Sequence, residues 1–490
     1  MDAKKLLNRL LKNDHTLTEL ILVPLNETLY YFPYSMYEWK RLGILLGDNN
    51  SVVKLSISFP WDRFDPPRTL YKALYSLAYG LNRNRSIKHI SFRDVDFREY
   101  DNNSFFLSMG SFFRNNKHLR VLEMRDCTFD EDCWHQLGRC TKQSNINKIF
   151  INGTMISPKG GDEYRPLTVI PSAFHGTLDT LSLVRCDMSD DHIDTIKKRW
   201  KIDNLAPTTI NLSNNVYMSD RSCDYLSRIM VDVRKLSLAN IPIGNHGVYS
   251  LLHNNIYNEN ALCVLNLDGT DINDVACEIL QMLLQHESCL IKKLSLDRNK
   301  ITSKGLNIIL DSLKNNKQLQ ELSLFKNNIN EHEWSTILPL LCDESNINST
   351  YSSNHTLKMI GGPSKQFYTS FVGKKIKQMF LINSNANARW KMTPLAAKNA
   401  GATKVVLSHL TNLSKSKSTF LDGTDDSMFP YTLGWLGEMN AYGGHVTLNA
   451  FFHLCQHNCN LFKLAMKCIN NTPLKKRKIC KISSEVNNII

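Results

Sequence analysis

A leucine pattern at a fixed period constrains this chain more than any other feature. Leu262-x-x-Leu265-x-Leu267 is followed by Ile291-x-x-Leu294-x-Leu296 and then by Leu319-x-x-Leu322-x-Leu324. The middle positions step by 29 and then 28 residues, and two of the units run on to an asparagine at the same offset, Asn299 and Asn327. Within a unit, apolar residues at every second position read as a strand with one buried side. The intervening SKGLNIILDSLKNN places Leu306, Ile309, Leu310 and Leu313 on one helical stripe. Each unit therefore predicts one short strand and one helix. No single unit can bury its apolar side alone, so the units must stack.

Weaker copies precede these three. Their middle residues are Leu20, Leu55, Ile90, Leu122, Ile149, Leu181, Ile210 or Leu212, and Leu236, which makes eleven copies in all. A degenerate twelfth lies in NSTYSSNHTLKMI, residues 348–360. The first two steps are 35 residues, and extra loop in ETLYYFPYS and FPWDRFDPPR accounts for the length. Residues 153–174 put a Gly/Pro-rich loop where a helix is expected, and such excursions often carry binding function. Cys186 stands where other units have asparagine.

Stacking sets the expected geometry. Parallel strands lie about 4.8 Å apart, whereas helices need roughly 10 Å, so the sheet should take the concave side of a curved α/β solenoid. The outward position between the last two motif residues is small and polar in most copies, for example Ser56, Ser91, Ser182, Ser237, Asn266, Ser295 and Ser323, with Ile21, Glu123 and Phe150 as exceptions. Crowding on the inside of a curve is one reason for small residues there. The flanking outward positions are charged. They hold Lys54, Lys88, Arg93, Arg120, Arg125, Lys148, Arg234, Lys235, Lys292 and Lys293, with Glu19, Asp179, Asp268, Asp297 and Glu321 among them. Mixed signs fit a protein partner better than a phosphate groove, which would be nearly all basic.

The 28–29-residue period and units such as LSLDRNKITSKGLNIILDSLKNN resemble the ribonuclease-inhibitor-like class of leucine-rich repeat proteins, over roughly residues 17–360. That resemblance implies a horseshoe with a parallel concave sheet, convex helices and a binding role. The chain also resembles a group of repeat proteins from unicellular algae that end in a Pro-Tyr-x-Leu-x-Trp-like motif, here Pro430, Tyr431, Leu433 and Trp435.

Three segments follow from these patterns: a repeat solenoid over 1–360, a helical C-terminal cap over 361–470 that covers the open end of the stack, and a basic disordered tail over 471–490. Charge divides along the same line. Of the net +13, residues 361–490 supply 17 Lys+Arg against 5 Asp+Glu. Lys475-Lys476-Arg477-Lys478 resembles a nuclear localisation signal, and such a run also suits RNA or a solvated tail. His453, Cys455, His457 and Cys459 mimic a metal cluster, but on a helix the histidines and the cysteines fall on different faces, so four ligands do not converge. Most of the thirteen cysteines, without an export signal, read as free thiols. No stretch reaches the ~18 apolar residues of a membrane span, and the N-terminus lacks the uncharged core of a secretory signal.

No Gly-flanked serine, H-E-x-x-H, phosphate loop or dinucleotide fingerprint occurs. The sequence therefore predicts a non-enzymatic protein-binding scaffold without cofactor or metal, in the cytoplasm with nuclear import as the alternative. The residues expected to bind are Arg120, Arg125, Arg234, Lys235, Lys292 and Lys293, with Phe325 as aromatic anchor. Two other readings remain open. Some proteins of this repeat type stimulate the Ran GTPase, and the basic C-terminal segment could bind RNA.

Overall fold

The computed structural model describes residues 3–22, 36–58, 67–97, 102–142, 144–156, 178–203, 207–230, 232–256, 262–343 and 353–384. Much of the early loops, the Gly/Pro-rich loop beyond residue 156, the Pro430 motif, the His453 to Cys459 cluster, the helices expected after residue 384 and the Lys475 to Lys478 run lie outside them.

Beside a two-stranded parallel sheet of Thr128–Phe129 and Met155–Ile156, twelve strands form one parallel sheet in sequence order. They are β1 (Glu19–Leu22), β2 (Lys54–Ser58), β3 (His89–Arg93), β4 (Val121–Arg125), β5 (Lys148–Asn152), β6 (Thr180–Val184), β7 (Thr209–Asn211), β8 (Lys235–Ser237), β9 (Val264–Asn266), β10 (Lys293–Ser295), β11 (Glu321–Ser323) and β12 (Met359–Gly361). The chain is an α/β leucine-rich repeat solenoid. The sheet register is the repeat register. Leu20 pairs with Leu55, Leu55 with Ile90, and the middle residues then run Leu122, Ile149, Leu181, Ile210, Leu236, Leu265, Leu294 and Leu322 without a slip. A slip of one residue would turn every leucine outward, and all of these residues are buried. The degenerate twelfth copy supplies β12.

Strands β3 to β11 leave the sheet through the same turn. Nine consecutive repeats place one residue in the left-handed region just past the strand: Asp94, Asp126, Gly153, Arg185, Asn214, Asn240, Gly269, Arg298 and Lys326, with φ from 50° to 63°. The N–H groups of the first eight donate to a carbonyl at or just past the end of the next strand, for example Asp126 to Asn152 at 2.7 Å and Arg298 to Phe325 at 2.7 Å. This ladder continues the sheet's bonding around a bend that would otherwise strand backbone groups.

In several repeats an asparagine at the next position closes the turn. Asn299 donates from Nδ2 to the carbonyls of Leu267 at 2.8 Å and Leu296 at 3.1 Å, while its Oδ1 accepts from the N–H groups of Thr270 and Ile272. Asn215 and Asn327 repeat the arrangement. Cys186 occupies the same place and its thiol donates to Ile151 O at 3.7 Å, with Cys127 doing the same to Phe92 O at 3.6 Å. The asparagine-to-cysteine exchange thus keeps one donor and loses the acceptor.

A second asparagine set closes the other end of each unit. Asn49, Asn84, Asn116, Asn316 and Asn354 each stand three residues before a first motif residue, and all are buried. Asn84 shows the role: its Nδ2 donates to Leu46 O and Asn49 O, and its Oδ1 accepts from Ser86 N and Ile87 N.

Helices line the other side of the sheet. They include α1 (Ala3–Leu11), α2 (Met36–Asp48), α3 (Pro67–Leu81), α4 (Asn102–Asn115), α5 (Glu131–Lys142), α6 (Asp190–Asp203), α7 (Asp220–Ser227), α8 (Gly244–Ile256), α9 (Asp274–Gln285) and α10 (Ser303–Ser312). Leu306, Ile309 and Leu310 of α10 are buried, as the stripe predicted. Helices α2 and α3 meet at glycines: a Cβ on Gly43 would stand 2.8 Å from Leu77 O, and one on Gly80 would fall onto the Gly43 carbonyl and the Ile44 amide. An aromatic cluster of Phe92, Phe97, Phe129 and Trp134 fills the space behind β3 and β4.

The chain divides into two compact units. The larger comprises Met1–Ser312, Gln318–Asn330 and Ile360–Gly362, and the smaller Leu313–Lys317, Glu331–Met359 and Pro363–Ile490. In the smaller unit, α11 (Ile337–Leu341) packs against α12 (Phe371–Ser384). Asn383 at the end of α12 donates to Asn354 O and Leu357 O, so this helix closes in the same manner as a repeat. Among the described residues, no helix is long and apolar enough to cross a membrane.

Candidate binding face

The face of the sheet opposite the helices is a grid set by the register. Its middle column runs Ile21, Ser56, Ser91, Glu123, Phe150, Ser182, Asn211, Ser237, Asn266, Ser295 and Ser323. Part of this column is bonded internally. Ser295 Oγ donates to Asp268 Oδ1 at 2.6 Å and Ser323 Oγ to Asp297 Oδ1 at 2.6 Å. The same carboxylate oxygens accept from the N–H groups of Asp297 and Phe325, at 2.8 Å each. Asp268 and Asp297, which the sequence offers as charged recognition residues, thus also stitch one repeat to the next.

The expected binding residues are brought to this face but not to one spot. Lys235 and Lys293 open β8 and β10, with Val264 between them in register, and Arg234 and Lys292 directly precede them. All four are exposed. Lys293 Nζ meets Glu321 Oε1 at 2.7 Å across to β11. Arg120, just before β4, is exposed but turns Nη1 onto the backbone carbonyls of Lys117 and Leu119. Arg125 stands at the opposite end of β4, beside Arg93 in register. Phe325 follows β11 and is 50 % exposed, with its ring over Gly361 of the neighbouring strand, where a Cβ would stand 2.6 Å from Cε2. It is therefore a packed aromatic with one open face.

Arg125 belongs to a charged group. Its Nη2 donates to Glu123 Oε1 at 3.3 Å, and His89 Nε2 lies 3.0 Å from Glu123 Oε2. The hydrogen bond with His89 holds the Glu123 carboxyl below its usual range, against the opposing effect of burial. Next to Glu123 in register is Phe150, 36 % exposed in the centre of the face. The sequence marks Phe150 as an exception to the small polar column. Its value as an anchor follows only from that exposure.

Cys127, Cys186, Cys223 and Cys277 are buried free thiols. Burial pushes Cys127 and Cys186 up to about 12, which leaves them protonated and inert at neutral pH. Among the described residues, no three His, Cys, Asp or Glu side chains group as metal ligands.

No family model matches the chain, and no curated protein matches it. Solved structures do. An internalin from Listeria monocytogenes shares 12% identity over 66% of this chain and 84% of its own, with a TM-score of 0.36. A chain of the Rad7 and Elc1 complex in yeast shares 14% over 67% and 84%, with a TM-score of 0.34. The TLR13–ssRNA13 complex contributes a chain with 16% identity over 65% of this one and 37% of its own, at 0.35. All three scores are low, so the architecture rests on the strand register and the repeat spacing.

Proposed function

We propose that the chain is a non-enzymatic protein-binding scaffold that holds its partner on the exposed face of the sheet. The observation that carries this reading is the unbroken register, which aligns a mostly small and polar column between two charged rims. Such a surface is preformed on backbone ladders, so little ordering cost attends binding. Phe150 supplies a central aromatic of the kind enriched in binding hot spots. The period fits the ribonuclease-inhibitor-like subclass. Residues 361–470 complete the scaffold as a cap, and 471–490 form a basic tail. We place the protein inside the cell, with Lys475 to Lys478 as the segment for nuclear import.

Capture from cell lysate tests the reading. The full-length chain should hold a protein partner through nuclease treatment. Ser91→Trp with Phe150→Ala should reduce that capture at least about tenfold, the scale of losing one hot spot. Met282→Ala, on an exposed position of α9, should leave it unchanged. Equal capture by all forms would place the partner elsewhere. Complete loss on nuclease treatment would favour RNA held by the basic C-terminal segment.

A further inference from the structure

The charges of the sheet face sort by position along the strands, and this gives the partner a chemistry. At the strand-start rim, Lys54, Lys88, Arg120 and Lys148 belong to the consecutive strands β2 to β5, and Arg234, Lys235, Lys292 and Lys293 to β8 through β10. The acids of that rim are Glu19, Asp179 and Glu321. At the strand-end rim, Arg93, Arg125, Arg185, Arg298 and Lys326 are offset by Asp94, Asp126, Asp268 and Asp297. One rim is thus strongly cationic, while the other is nearly balanced.

Local pairing sharpens the contrast. Glu19 pairs with Lys54 at 2.6 Å and Glu321 with Lys293 at 2.7 Å, and Asp179 accepts from Asn147 Nδ2 at 2.6 Å. Among the described residues, no carboxylate lies in salt-bridge range of Lys88, Lys148, Arg234, Lys235 or Lys292. Lys235 and Lys293 are two strands apart, about 10 Å. Arg234 and Lys292 repeat that spacing, so four cations share one small area. Like charges held this close repel, and an anionic partner relieves them.

We infer that the strand-start rim docks an acidic protein segment, with its carboxylates on the β8 to β10 cations and on the β2 to β5 cations. This rests on the scaffold reading and adds the partner's charge and position. A nucleic acid strand fits less well. Its phosphates recur at every nucleotide, and between the two cationic blocks they would meet Asp179. A polypeptide can place acids over each block and leave the gap neutral. Ten residues in extended form reach about 35 Å, and the block centres are roughly 25 Å apart at the strand spacing.

Fluorescence anisotropy with a labelled oligoglutamate peptide of about ten residues and the full-length chain tests the inference. Arg234→Glu with Lys235→Glu and Lys292→Glu should weaken binding about tenfold or more, and added salt should weaken the wild type. Arg93→Glu with Arg298→Glu and Lys326→Glu makes the same change in net charge at the other rim and should cost less than about twofold. The neutral triple Arg234→Gln, Lys235→Gln, Lys292→Gln should fall between, which separates charge recognition from a folding defect. Equal loss at both rims, or none at either, overturns the inference. So does an oligouridylate that binds the wild type more tightly than oligoglutamate and loses affinity in the first triple. If lysate capture still depends on Ser91 and Phe150 while the oligoglutamate response is flat, the scaffold reading stands and only the acidic partner falls.

Discussion

Asn299→Ala is expected to lower the stability of the repeat stack by about 4 kcal/mol. The substitution removes one side chain but orphans two backbone N–H groups. Thr270 N and Ile272 N lose their acceptor, in a turn where Asn299 is 6 % exposed, while Leu267 O and Leu296 O each lose one of two donors and keep Thr270 Oγ1 and Asn327 Nδ2. Water cannot easily replace those bonds, and each buried unsatisfied group costs about 1–3 kcal/mol. Asn299→Cys should cost less than Asn299→Ala. The chain itself places Cys127 and Cys186 at this position, where the thiol still donates to the preceding repeat. Denaturant unfolding of the three forms gives the comparison. An alanine variant within about 1 kcal/mol of wild type, or a cysteine variant no better than alanine, would mean that the turn does not depend on the amide.

The second large effect is expected at Gly80. Helices α2 and α3 approach until backbone faces backbone, and a methyl group on Gly80 would clash with the carbonyl of Gly43 and the amide nitrogen of Ile44. No rotamer change can clear a clash with the main chain. The helices must move apart, and the leucines beneath them, Leu42, Leu46, Leu77 and Leu81, all buried, lose contact. Gly80→Ala should therefore destabilise by about 3 kcal/mol, the upper range for overpacking, although alanine is the better helix former. Gly244→Ala serves as a contrast: no atom lies within 4 Å of its Cβ position, so only its φ of +61° opposes the change. A milder effect at Gly80 than at Gly244 would contradict the close approach of the two helices.

The strands and their register were legible in the sequence because a buried leucine every second residue admits only one alignment. The middle leucines of every unit marked their own partners, even across the 35-residue steps. Cys186 was legible as an asparagine substitute for the same reason. The left-handed position past strands β3 to β11 was not. Six of its residues are Asp, Asn or Gly, which tolerate a left-handed φ, but Arg185, Arg298 and Lys326 break that pattern. The backbone ladder imposes that conformation and overrides the cost of left-handed φ for arginine and lysine.

The second asparagine set was legible in principle. Asn49, Asn84, Asn116, Asn316 and Asn354 each precede a first motif residue by three, but a reading centred on leucines passes over them. The sheet face was legible by column and not by rim. Taken together, the flanking columns look mixed in sign. Separated by strand end, they show cations gathered on one side, because the acids Asp268 and Asp297 sit at the other end and hold Ser295 and Ser323. Phe325 illustrates the remaining gap. Sequence places it outward, and only the neighbouring Gly361 explains why its ring lies against the sheet.

The most direct test of a binding face on the sheet is site-specific photo-crosslinking in cells. A photoreactive benzoylphenylalanine would replace Ser91 or Phe150 on the sheet, and Tyr249 or Met282 on α8 and α9. A discrete protein adduct from the sheet positions, absent from the helix positions, is the predicted result. Adducts from Tyr249 or Met282 with none from Ser91 or Phe150 would put the partner on the helical side and contradict the account.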